Sequence, residues 1–158
     1  MEYVCTGAKL QCSMGTAQST LKATPKNVTL TGQDQANIAD FISMVNVPGF
    51  GRCRSLGYPP TASATAAHHG HLTPMPCVPG TCPKWSAVDP DSLVCGEPAL
   101  LKPATLRCGY GGTISIVSPG QNLEIKKYTG ATDKADPHQK IFLHVVVCQR
   151  CREARVLF

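Results

Sequence analysis

Apolar and polar positions alternate along this chain in short bursts, and each burst is cut by glycine, proline, asparagine or aspartate before it grows long. Alternation with a period of two puts every second side chain on one face, the pattern of a half-buried strand. Strands are therefore predicted at Leu21 to Thr31, Leu93 to Leu101, Thr113 to Val117, Leu123 to Tyr128 and Ile141 to Cys148. Helical spacing is confined to Gln35 to Met44, where Ile38, Phe41 and Ile42 share a face and Pro48 and Gly49 follow at once. One short helix or turn is expected there.

One stretch of this pattern occurs twice. Aligned without a gap, Ala8, Leu10, Cys12, Met14 and Gly15 match Ala104, Leu106, Cys108, Tyr110 and Gly111. The shared motif is Ala-x-Leu-x-Cys-x-(large apolar)-Gly. Each copy runs on into an alternating segment that ends at a proline, Ser19 to Pro25 in the first and Thr113 to Pro119 in the second. A corner that cannot bury its own apolar face needs a partner, so the duplication predicts an all-β body with internal pseudosymmetry.

Composition points the same way. The 158 residues are the length of one domain, and 14 Gly, 13 Pro and only 6% aromatic residues suit short strands and turns better than a large helical core. The start of the chain, Met1-Glu2-Tyr3-Val4-Cys5, has no basic segment leading into an apolar run, so folding in a reducing cytosol is expected. There the nine cysteines are metal ligands or small buried hydrophobes rather than disulfides, and an odd number argues against a fully paired framework.

The order of motifs from about Val4 to Gln121 carries more. Gly7-Ala8-x-Leu10-x-Cys12-Ser13-x-Gly15 is followed by Ala39-Asp40, Phe50-Gly51-x-Cys53 and Thr73-Pro74-Met75-Pro76-Cys77-x-Pro79 with Trp85. Then come Pro98-Ala99-Leu100-Leu101, Leu106-x-Cys108-x-Tyr110-Gly111-Gly112-x-Ile114 and Pro119-Gly120-Gln121. In these pieces the chain resembles the PAAR-like proteins that tip the spike of bacterial contractile injection systems, of the type VI secretion or phage-tail-like kind. The resemblance implies a small cone of short β-hairpins over residues 1–121; residues 122–158 depart from the family pattern and are expected to be a C-terminal extension packed on or near the tip. It also implies a partner, a trimeric β-helical spike protein capped by one tip per trimer. The tip would be assembled in the cytosol, exported at the point of the apparatus, and driven through a target membrane with or without effector cargo. A blunt β-helix ends in unpaired strand edges and a bare apolar core, which a cap would cover.

Cys12, Cys53, Cys77 and Cys108 fall inside the matched pieces, whereas Cys5, Cys82, Cys95, Cys148 and Cys151 fall outside them. With the resemblance, the first four become candidate ligands of a structural zinc, because a narrow apex has little volume for a core and thiolates can hold distant segments together. The plain alternative is that all four are buried thiols filling gaps at β corners. A second candidate set is His138, His144, Cys148 and Cys151, where Cys-x-x-Cys is the more local zinc signature and His144 shares a strand face with Cys148. Against it, 141–147 reads equally well as a buried strand with an incidental histidine. In His68-His69-Gly70-His71 the solvated-loop reading is the stronger, and His71 is the member best placed to join a metal, close before Cys77.

Charge and motif content then exclude several functions. The net charge is +5, of which residues 122–158 hold +3 from seven Lys or Arg against four acids, a balance open to an acidic partner or a phosphate surface. Cys148-Gln149-Arg150-Cys151-Arg152 is similar to a zinc knuckle, but the interleaved aromatics that stack on bases are missing, so nucleic acid has little support. No phosphate loop, Gly-x-Ser-x-Gly elbow or His-Glu-x-x-His occurs, and nothing singles out a nucleophile pair such as Cys82 or Cys95 with His138 or His144. The expectation is a non-enzymatic spike tip. The alternative is a stand-alone zinc-binding adaptor that recruits an effector or nucleic acid through residues 122–158.

Overall fold

Leu10 and Cys12 turn inward while Lys9 and Gln11 face solvent, and that alternation makes β1 (Lys9–Cys12) a strand with one buried face. A computed structural model describes residues 2–80 and 84–121. Within them the chain is an all-β domain of short antiparallel hairpins with one short helix. The central sheet has the order β2-β1-β10-β9, where β2 is Ser19–Thr20, β9 is Thr105–Arg107 and β10 is Thr113–Ser118. Three two-stranded ribbons surround it: β3 (Thr29–Leu30) with β4 (Gln33–Asp34), β5 (Arg52–Cys53) with β6 (Met75–Pro76), and β7 (Val88–Val94) with β8 (Glu97–Leu100).

The sequence repeat is a structural repeat. The first copy is the β1–β2 hairpin and the second the β9–β10 hairpin, and β1 pairs with β10 to join them, so one copy follows the other by a step of two strands. Equivalent backbone bonds close both copies. Ala8 donates to the Cys5 carbonyl as Ala104 does to Leu101, and Gly15 donates to Cys12 as Gly111 does to Cys108. Leu10 and Leu106, both buried, meet Val4, Leu21, Phe50, Trp85, Leu100 and Ile114 in one core.

Several boundaries differ from the sequence reading, each for a local reason. Leu93 to Leu101 is a turn and two strand ends, because Cys95 (φ 52°) and Gly96 (φ 82°) reverse the chain between Val94 and Glu97. Leu21 to Thr31 is ladder-paired only at Thr29–Leu30; Leu21 and Lys22 bond instead to the carbonyls of Ala8 and Asn46, and Asn27 at φ 56° bends the backbone just before β3. Of the helix or turn expected at Gln35 to Met44 the structure has the turn, and there the Asp40 side chain accepts from the Asn37 amide. The helix is α1 (Pro59–Ala67), which opens on two prolines in its first turn and has no apolar stripe to announce it. Thr113 to Val117 is β10 as expected. The strands expected at Leu123 to Tyr128 and Ile141 to Cys148 lie outside the described residues, as does the whole extension 122–158. Among the described residues no helix is long and apolar enough to cross a membrane.

The β3–β4 turn offers a stability test. Thr31 (φ 52°) and Gly32 (φ 79°) form a two-residue turn of the primed kind, in which a β-branched residue is strained and asparagine is not. Thr31→Asn should stabilise the domain by about 1 kcal/mol. An unchanged or lower urea midpoint would show that the exposed Thr31 hydroxyl, donated to the Leu30 carbonyl at 2.7 Å, matters more than the strain.

Candidate metal centre

Four strand ends that carry cysteine arrive at one end of the central sheet. Cys12 ends β1 opposite Ile114, and Leu106, two residues before Cys108, lies opposite the same Ile114 from the other side of β10. The Cys108 amide donates to the Gly112 carbonyl at 2.8 Å, and Gly112 lies between the two corners. A methyl group on Gly112 would stand 2.8 Å from the Cys12 sulfur and 3.6 Å from Cys108 Cβ, so only glycine lets the two approach.

The β5–β6 ribbon brings the other pair. Cys53 bridges to Gly15 in the corner after Cys12, and the Arg54 amide donates to the Met14 carbonyl at 2.8 Å. Cys77 follows β6 and donates its amide to Gly51 at 2.8 Å, while its own carbonyl packs against Gly49 where a Cβ would collide with it. Gly109 donates to Gly80 at 2.6 Å and ties the Cys108 corner to the segment after Cys77.

The thiols are near enough to feel one another. Burial raises the Cys12 pKa above its ordinary value; the Met14 and Gly15 amides that point at the sulfur pull it down, and the Cys108 and Cys53 thiolates push it up. Cys77 is likewise raised by burial, lowered by the Phe50 amide, and raised further by Cys53, Cys12 and Cys108. Amides aimed at sulfur are the partners a thiolate would use, and the raised values keep both thiols protonated at neutral pH in the metal-free chain. Among the described residues, no three His, Cys, Asp or Glu side chains stand as a group that could hold a metal ion. The four thiols thus converge without being closed to ligand spacing. Their chemistry suits zinc, being four soft donors at the ends of separate strands with backbone donors behind two of them.

The remaining candidates are placed elsewhere. His71 is exposed in the loop after α1, its amide bonded to His68 and its carbonyl accepting from Thr73, and it joins no ligand group. His138, His144, Cys148, Cys151 and Cys82 lie outside the described residues. Cys5 is fully buried at the opposite end of the sheet, where its amide donates to Pro119, and Cys95 sits in the β7–β8 turn with its thiol 3.2 Å from the Lys26 carbonyl.

Burial alone lifts the Cys5 thiol to about 11 from 9.0, which gives a clean control. In the reduced native chain Cys5 should resist alkylation at pH 8 and react fully in denaturant. Because its folded pKa is the higher one, its contribution to stability is complete below pH 9 and is lost as the pH rises towards 11. Rapid native labelling at pH 8 would contradict its placement.

Sequence reasoning paired Cys12 with Cys108 through the repeat, but it had no signal for the braces around them. Ser55, Tyr58 and Thr61 all contact the cysteine-bearing corners, and the Tyr58 ring packs tilted against Tyr110 with centroids 4.9 Å apart. The Tyr110 position in the repeat, where Met14 stands in the first copy, was the available hint.

Four cysteine-bearing segments of the described residues are thus brought to one end of the sheet by backbone pairing. No curated protein and no solved structure matches the chain. One family does, described as "Domain of unknown function (DUF4280)"; it spans residues 4–121, about three quarters of the chain, and the protein belongs to it.

Proposed function

We propose that this protein is a structural tip that caps a trimeric β-helical spike of a contractile injection system, with a zinc ion held by Cys12, Cys53, Cys77 and Cys108. The observation that carries the reading is the pair of repeated hairpins set side by side at a two-strand step, with four cysteine-bearing strand ends gathered at one end of the sheet. In this reading the two copies supply two of the repeats that a threefold partner would meet. A tip must also be stiff where its volume is least, and thiolate ligation stiffens segments too thin to share a core.

The opposite end of the sheet suits the seat. There Thr6, Gly7, Lys9, Gln33, Ser118, Gly120 and Gln121 line a cleft of about 320 Å³, and the described chain ends beside it at Gln121. In this reading the work is mechanical: the base pairs with the spike, the staple keeps the point rigid, and the machine supplies the force that drives it through a membrane.

The test is a native mass spectrum, in reducing buffer, of the full chain mixed with the trimeric spike protein from the same source. Three spikes plus one tip, heavier than the apoprotein sum by one zinc ion, is the expected result. Free components at apoprotein mass would overturn it, and binding retained by residues 122–158 alone would favour an adaptor.

A further inference from the structure

Helix α1 is unusual in what it buries. Its two buried side chains are Thr61 and Thr65, both hydroxyls, so it does not sit on the domain to hide apolar surface. The Thr61 hydroxyl, fully buried, donates to the Cys53 carbonyl at 2.7 Å and accepts from the Met75 amide at 3.3 Å. Cys53 and Met75 are register partners across β5–β6, a ribbon only two residues long on each side. Such a ribbon is too short to hold its own spacing, and the threonine hydroxyl adds a rung to it.

The residues leading into the helix reach the other corners. The Tyr58 hydroxyl donates to the carbonyl of Pro76, which immediately precedes Cys77, at 3.0 Å. Its ring packs on Tyr110, two residues after Cys108, at 59° between planes. The Ser55 hydroxyl donates to the Tyr110 carbonyl. One short segment, 55–61, therefore touches the backbone beside three of the four thiols.

We propose that Ser55 to Thr61 is a clamp that sets the spacing of Cys53, Cys77 and Cys108, with Thr61 and Tyr58 as its positioning residues. Its bearing on metal rests on the four-thiol reading above; its bearing on the thiols themselves does not.

The test compares Thr61→Val, which keeps the shape and removes the hydroxyl, with Thr61→Ser, which restores it. In the reduced, metal-free full chain, alkylation of each cysteine is followed by peptide mass. Thr61→Val should label Cys53 and Cys77 about tenfold faster, the effect of orphaning a buried carbonyl and amide, with Cys5 unchanged and Thr61→Ser close to wild type. Unchanged rates at Cys53 and Cys77, or an equal rise at Cys5, would overturn the clamp, the latter because it reports general loosening. Should Thr61→Val not fold, Tyr58→Phe keeps the ring and drops the bond to Pro76, and it should speed Cys77 selectively; no change there overturns the clamp as well. Cobalt(II) added to the same samples reads the metal separately. Wild type should give thiolate-to-cobalt bands that weaken in Thr61→Val, whereas their absence from wild type would remove the metal reading and leave the labelling result to decide the clamp.

Discussion

Asp40→Ala should cost this domain about 3–5 kcal/mol, a large part of the stability of a protein this size. Asp40 is 1% exposed and its carboxylate is shared by four groups. Oδ2 accepts from Lys26 Nζ at 2.6 Å and from the Asn37 amide at 2.9 Å; Oδ1 accepts from the Thr24 amide at 3.0 Å and from Asn46 Nδ2 at 3.4 Å. Its backbone carbonyl takes the Trp85 indole N–H at 3.0 Å. Removing the carboxylate leaves two backbone amides without their acceptor and takes the counter-ion from an ammonium that is itself 11% exposed and keeps only its bond to the Thr24 carbonyl.

The partner variant fixes the interpretation. Lys26→Ala leaves Asp40 its three N–H donors, so it should cost clearly less than Asp40→Ala, although both break the same ion pair. Urea unfolding followed by the fluorescence of Trp85, the only tryptophan, reads both variants. If Lys26→Ala proved the more costly, the ion pair and not the hydrogen-bonded hub would be what holds residues 24–46 in place.

That hub also explains what sequence could and could not reveal. Ile38, Phe41 and Ile42 have helical spacing, yet a buried carboxylate that caps the Asn37 amide and gathers Thr24 and Asn46 offers the backbone better partners than a helix would. Nothing in the apolar pattern reports such a centre. The reverse holds for α1, which buries threonines and so shows no apolar stripe, although Pro59-Pro60 followed by an alanine-rich run was a usable start signal. Strand boundaries failed where two residues with positive φ reverse the chain, as at Cys95-Gly96, because a cysteine in that position does not look like a turn. The duplicated motif was the better guide: it predicted an all-β body with an internal repeat, and its two copies are the β1–β2 and β9–β10 hairpins of one sheet. Cys53 and Cys77 reach them only through long-range pairing with the corner after Cys12, which no local pattern encodes.

Zinc should raise the stability of the reduced full chain by about 4 kcal/mol when free zinc exceeds its dissociation constant a thousandfold, and chelation should remove that gain. Cys12 and Cys77 stand with raised pKa values, mostly through burial and in part through the neighbouring thiolates. An ion that binds thiolates must displace those protons, so uptake should release acid and the affinity should rise with pH through the neutral range. Cys77→Ser keeps nearly the same volume but removes a soft donor; it should abolish the zinc-dependent part of the stability while changing the metal-free midpoint little. Cys148→Ser discriminates the sites. If it, rather than Cys77→Ser, removed the bound ion from the native mass spectrum, the metal would belong to the extension and not to the corner. If neither changed the mass or the melting temperature, the four thiols would be packing groups at a β corner, and the stiffness of that end would rest on Gly112, the Tyr58–Tyr110 pair and the backbone bonds between them.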